Sequence, residues 1–140
     1  MINKHATAHW EGPIKEGKGT ISTQSGALDG QPYGFNTRFE GEPGSNPEEL
    51  IGAAHAACFS MALSLELEKA GVSDVVIDTK AVVSLDKEGD GFAIKKSALT
   101  STVQGKGDEA AIRKAAEGAK AGCPVSKVLN CEITLDLTIA

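Results

Sequence analysis

The 140-residue sequence predicts one domain, residues 1–140, that combines β-hairpins with helices. Three patterns carry that reading. A 24-residue stretch, 47–70, has a helix start signal before it and a stop after it; two runs alternating apolar and polar residues flank a Gly-Asp-Gly turn; and the chain ends in another alternating run.

Residues 5–11 and 19–23 are bounded by glycines, carry β-branched residues and the single Trp10, and predict a short hairpin whose turn lies within 12–18. Residues 25–46 turn to Gly, Pro, Asn and Glu. The alternation Phe35, Thr37, Phe39 interrupts them and predicts a strand around Arg38. So long a stretch with little secondary structure of its own is usually functional or flexible.

The long helix follows. Asn46 suits the N-cap and Pro47 the first helical position, Glu48 and Glu49 complement the helix dipole, and Gly71 stops the helix. At roughly 1.5 Å per residue it would be about 36 Å long. Its middle is apolar or small nearly all round, as in a helix buried on every side, which in so short a chain predicts burial shared with a second copy. The uncharged run 50–65 spans 16 residues, short of the roughly 20 that cross a bilayer.

Between 75 and 88, Val75, Ile77, Ala81, Val83 and Leu85 share one face. Gly89-Asp90-Gly91 turns the chain into 92–104, whose alternation changes phase at Lys95-Lys96 and predicts a bulge in a long antiparallel hairpin. A helix beginning at Asp108 sets Ala111, Ile112, Ala115, Ala116 and Ala119 on one stripe and ends near Gly122. Pro124 then fits the first position of a short helix capped by Cys123, and 131–139 alternates as a last strand.

Composition removes several classes of function. With 14 Lys and Arg against 19 Asp and Glu, and six aromatic residues, the chain lacks the basic footprint and the stacking groups of a nucleic-acid or anionic-membrane binder. The opening Met-Ile-Asn-Lys-His has no apolar signal-peptide core, so a reducing cytoplasm is the expected compartment, where three cysteines form no disulfide framework.

Those cysteines sit in different contexts. Cys58 lies mid-helix, away from the terminal dipole that lowers a thiol pKa; it either packs as a small hydrophobe or needs a cationic partner to react. Cys123, at a helix start, is either a buried cap or a thiolate favoured by free backbone amides. Cys131 falls on the apolar side of the last strand and reads as packing. Arg38 is a permanent cation in the Gly-rich stretch, although an ordinary surface role fits it locally as well. His55 and Cys58, three apart on one helix, with Cys123 as a third ligand, could hold zinc, but no paired metal motif strengthens that set. The serines, Ser126 among them, lie in no nucleophile-elbow motif.

Three stretches stand out as words: Gln31-Pro-Tyr-Gly-Phe-Asn-Thr-Arg38-Phe-Glu-Gly41, then Asn46-Pro-Glu48-Glu-Leu-Ile-Gly-Ala-Ala-His-Ala-Ala-Cys58-Phe-Ser-Met-Ala-Leu63, then Ala121-Gly-Cys123-Pro-Val-Ser-Lys127. Over essentially its full length the chain resembles the osmotically inducible protein C family, which includes the organic hydroperoxide resistance proteins, and within it the OsmC subgroup. The resemblance implies an α+β fold, an intertwined homodimer with antiparallel sheets packed around a long central helix that carries the first cysteine. It implies thiol-dependent reduction of organic hydroperoxides in oxidative and osmotic stress defence. Cys58 matches the family's peroxidatic cysteine, Cys123 the resolving one, and Arg38 and Glu48 the assisting pair. No bound cofactor is implied; the reductant is an external dithiol, with a lipoyl-type dithiol favoured.

By that reading Cys58 thiolate attacks a peroxide oxygen, an alcohol leaves, and Cys123 condenses with the Cys58 sulfenic acid to a disulfide. Ionising a thiol fully gains at most about 30-fold at pH 7 against the roughly millionfold that enzymes reach, so Arg38 must also hold the peroxide and Glu48 must fix the guanidinium. On a continuous helix Glu48 and Cys58 are about 15 Å apart along the axis and roughly 80° apart around it. Arg38 must therefore bridge them, the helix must break, or Glu48 must serve the site of another chain; a site assembled across the dimer is the expectation. A stress-related carrier of a small lipophilic ligand, with structural cysteines, is the rival reading.

Overall fold

The computed structural model describes all 140 residues, and the chain divides into two compact units, 1–50 and 51–140. In the first, β1 (Ala6–Glu11), β2 (Lys18–Thr23) and β3 (Gln31–Tyr33) form an antiparallel sheet in that order. The hairpin matches expectation; the third strand is an addition. Gly19 is required where the sheet packs its aromatics. Trp10 and Tyr33 lie with ring centroids 5.7 Å apart, and a Cβ on Gly19 would come within 2.4 Å of the Tyr33 ring.

The predicted strand around Arg38 is instead a helical turn, α1 (Phe35–Phe39). The spacing of Phe35 and Phe39 explains the difference: four residues apart, they stack on one face of a helix, with centroids 4.9 Å apart. The Thr37 hydroxyl accepts from the Gly34 amide at 3.0 Å and donates to the Ser45 carbonyl at 2.8 Å, and the Ser45 hydroxyl donates to the Pro32 carbonyl. The stretch around Arg38 is thus tied down by side chains in place of a strand ladder.

α2 (Pro47–Lys69) starts as its sequence demands, with Asn46 Oδ1 accepting from the Glu49 amide at 2.9 Å and Asn46 Nδ2 donating to the Glu49 carboxylate. It runs unbroken for 23 residues, longer than the uncharged run inside it, and by length and hydropathy would suffice to cross a bilayer. Its buried stripe of Gly52, His55, Phe59, Leu63 and Leu67 marks it instead as a core helix.

In the second unit that stripe meets a sheet of order β4–β5–β6, formed by β4 (Ser73–Glu88), β5 (Gly91–Lys106) and β6 (Glu132–Ile139). α3 (Glu109–Gly122), capped by the Asp108 carboxylate, adds Ile112, Ala115, Ala116 and Ala119 to a core shared with Phe59, Leu63, Leu67, Leu99 and Val103. Each of the large side chains contributes roughly 1.5–3 kcal/mol of hydrophobic stabilisation. The predicted bulge is present: Ser84 pairs with Lys96 and Leu85 with Ile94, leaving Lys95 extra.

The α+β class holds, but one expectation needs correction. The first sheet is antiparallel throughout, whereas β6 joins β5 in parallel, Lys96 opposite Glu132 through Val103 opposite Ile139. α3 and α4 (Pro124–Val128) form the crossover that returns the chain to run beside β5 in the same direction.

Candidate active site

In the first unit, α1 and the start of α2 bring two predicted residues together. Arg38 Nη2 donates to Glu48 Oε1 at 2.7 Å and Nε donates to both carboxylate oxygens at 3.1 and 3.2 Å. Glu48 retains 11% of its side-chain exposure and Arg38 36%, so the carboxylate is mostly covered while the guanidinium still reaches solvent. The two adjacent acids of α2 are therefore divided: the Glu49 carboxylate accepts from the capping Asn46 side chain, and Glu48 holds the arginine. Arg38 also lines a 290 Å³ cleft with Trp10, Ile14, Tyr33, Phe35, Phe39 and Pro47. One fixed cation set among aromatic and aliphatic walls suits a ligand with an apolar body and a polar or anionic head.

In the second unit, Cys58 of α2 meets Cys123, and both thiols are free. Cys123 caps α4 as its position before Pro124 predicts, accepting from the Ser126 amide at 3.3 Å. Cys123 has no solvent exposure, whereas Cys58 is partly open and lines a 600 Å³ cleft with Met61, Ala62, Leu65, Glu66 and Pro124 among others. A substrate from solvent therefore meets Cys58 first.

The two sulfurs are tuned in opposite directions. Burial pushes the Cys58 thiol up; the Val125 amide opposes that rise, and the neighbouring Cys123 adds to it. At Cys123 burial also acts upward, but hydrogen bonds from the Ser126 hydroxyl and amide, the Cys58 thiol and the Val125 amide outweigh it and leave the pKa below the ordinary thiol value.

His55 has a different place from the zinc-ligand reading. Its Nδ1 lies 2.7 Å from the Ser97 hydroxyl and its Nε2 2.8 Å from the Ser126 hydroxyl, so both ring nitrogens are engaged by serines rather than turned to the sulfurs. No group of three or more His, Cys, Asp or Glu is placed to hold a metal. The sequence gives no sign of Ser97 and shows Ser126 only as a serine outside any nucleophile-elbow motif. For Ser126 a signal was present: the third residue of a helix capped by Cys123 must turn its amide toward that cap. Cys131 is partly exposed just before β6, outside both clusters.

A family model described as OsmC-like protein matches residues 39–138, most of the chain. The chain belongs to that family. Among OsmC-like relatives it is 65% identical over 136 residues to "Peroxiredoxin OsmC" of Escherichia coli (strain K12), covering 96% of this chain and 95% of the relative. It is 30% identical over 122 residues to "Organic hydroperoxide resistance protein OhrB" of Bacillus subtilis (strain 168), covering 85% and 88%. The solved structure of OhrB from Bacillus subtilis superposes with a TM-score of 0.67 at 27% identity, covering 97% of this chain and 98% of that one. An organic hydroperoxide resistance protein from Elizabethkingia anophelis gives 0.68 at 25%, over 100% and 96%.

Proposed function

We propose that this OsmC-like chain is a peroxidase of stress defence that reduces organic hydroperoxides to alcohols, with Cys58 attacking and Cys123 resolving. The peroxiredoxin name of the 65% identical relative and the hydroperoxide-resistance names of others support the activity. The observation that carries the division of labour is exposure: Cys58 opens on an apolar cleft while Cys123 is fully buried beside it.

In the first step the Cys58 sulfur takes the terminal peroxide oxygen, the O–O bond breaks, and the alkoxide leaves and is protonated to the alcohol. The Cys123 sulfur then displaces hydroxide from the Cys58 sulfenic acid, giving the disulfide and water. An external dithiol, a lipoyl-type one by family resemblance, reduces that disulfide and is itself oxidised.

Because burial raises the Cys58 pKa, the attacking thiolate requires a cation beside it in the working assembly. Arg38, oriented by Glu48 and lined by apolar rings, is the group suited to hold the peroxide and meet the alkoxide charge. The assembly is a cytoplasmic homodimer, with Arg38 and Glu48 of one chain completing the cysteine pair of the other. Mixing Cys58→Ser chains with Glu48→Ala chains should restore activity through hybrid dimers; hybrids as inactive as their parents would refute the shared site.

Intact mass after one equivalent of cumene hydroperoxide tests the chemistry. The wild type should lose two hydrogens, Cys123→Ser should gain one oxygen, and Cys58→Ser should remain unchanged. An oxygen retained on Cys58→Ser would reverse the roles of the sulfurs, and no change in any chain would leave a ligand carrier as the better account.

A further inference from the structure

A buried file of polar side chains leads away from Cys123 into the core. The Cys123 thiol donates to the Ser126 hydroxyl at 3.3 Å, Ser126 Oγ lies 2.8 Å from His55 Nε2, and His55 Nδ1 lies 2.7 Å from Ser97 Oγ. Cys123, His55 and Ser97 have no solvent exposure and Ser126 only 8%. With the thiol donating, the Ser126 hydrogen is free to point at Nε2, and Nδ1–H then donates to Ser97. The imidazole is thereby placed as a proton acceptor one hydroxyl away from the sulfur.

We propose that Ser126 and His55 form a proton relay serving the resolving sulfur: as Cys123 attacks, its proton passes to Ser126 while the Ser126 proton passes to His55. The Ser126 hydroxyl then donates to the developing thiolate and His55 Nε2–H donates to Ser126, so no side chain has to turn. The S–O bond of Cys58 sulfenic acid breaks as the S–S bond forms, the Cys123 sulfur is oxidised, the Cys58 sulfur is reduced, and the expelled hydroxide takes a proton from solvent to become water. The proton held on His55 returns through Ser126 to solvent, so Cys58–SOH and Cys123–SH give the disulfide and one water. When dithiol reduces the disulfide the relay runs backwards and reprotonates Cys123.

Two features favour a relay over mere packing. A core position that needed only volume would be filled more cheaply by a leucine, whereas here a buried imidazole has both nitrogens satisfied and one of them points, through a hydroxyl, at sulfur. At the sulfur end of this file Cys123 is faced by Cys58 from α2, its partner in the reaction. Burial keeps His55 neutral at rest, as a proton acceptor must be. Ser126 touches the reacting sulfur; His55 acts through it and Ser97 fixes the ring, so both are positioning residues.

The inference rests on the peroxidase reading above, and the test separates the two. Protein mixed with one equivalent of cumene hydroperoxide is quenched at intervals, with dimedone adduct on Cys58 counting sulfenic acid and intact mass counting disulfide. In Ser126→Ala and His55→Gln, sulfenic acid should form at the wild-type rate while disulfide forms about 10- to 100-fold more slowly, the loss expected of one charge-assisted hydrogen bond. Ser126→Thr, which keeps the hydroxyl, should restore the rate. In a Cys58→Ser background, ultraviolet titration of the Cys123 thiolate should move upward with Ser126→Ala and stay with Ser126→Thr, which a packing role would not produce. Disulfide formation at the wild-type rate in folded Ser126→Ala and His55→Gln overturns the relay and leaves the peroxidase reading standing. Failure of the wild type to form either product overturns both.

Discussion

Arg38 is held by a fork of hydrogen bonds that a lysine cannot reproduce, since an ammonium is a point charge and a guanidinium binds a carboxylate along an edge. Arg38→Lys is therefore expected to keep the fold and lower kcat/KM for cumene hydroperoxide by roughly 100-fold, the scale of one lost transition-state donor. Glu48→Gln, which weakens but does not abolish the fork, should fall between that variant and the wild type in the same steady-state assay. His55 supplies a second prediction. Its folded pKa lies below the ordinary value of 6.5, so the unfolded chain binds protons more readily as pH falls through that value. Stability must then decrease from about pH 7 toward pH 5, and thermal melts of His55→Gln should show a flatter dependence over that window.

At the scale of elements, close approach sets α2 on its sheet. A Cβ at Gly52 would stand 3.3 Å from the Ala81 carbonyl oxygen and 3.7 Å from Val83 Cγ2, so backbone would have to yield. Gly52→Val should cost about 1–3 kcal/mol by overpacking, read as a lower urea midpoint with an unchanged slope. Elements whose ends carry their own signals were legible in the sequence: Asn46-Pro47 opening α2, Asp108 opening α3, Cys123-Pro124 opening α4, and the phase change at Lys95. α1 was misread because Phe35, Thr37 and Phe39 satisfy a strand period of two and a helical spacing of four equally well. The last strand showed its apolar face in its alternation, but alternation carries no information about which neighbour it pairs with or in which direction. Family words singled out Arg38 with Glu48 and Cys58 with Cys123, and the structure brings each of these pairs into contact; the serine–histidine file carried no such signal, because Ser97 and Ser126 meet His55 only across 42 and 71 residues of chain.

For the whole molecule, α2 has two faces of opposite fate. Its inner stripe is buried, while Ala53, Ala57, Met61 and Leu65, four apart along the other side, are exposed, Met61 at 76% and Leu65 at 51%. That apolar stripe runs beside the Cys58 cleft, which is where the proposed homodimer would gain most from contact. Replacing Met61 and Leu65 together by Glu should shift the species seen by light scattering from dimer to monomer at micromolar concentration. The melting temperature of the wild type, but not of this variant, should rise with protein concentration.

The parallel pairing of β6 with β5 also bears on how the chain reaches this state during synthesis. Residues 132–139 are the last strand to emerge, and they add to an edge made some thirty-six positions earlier, where Lys96 awaits Glu132. Until then the core beneath α2 lacks Ile133, Leu135, Leu137 and Ile139, so the hairpin and helix leave the ribosome with a wet, unfinished interior. Cys58 and Cys123 are both made before that closure. The nascent chain thus passes through an interval in which both thiols exist without the enclosure that later surrounds them.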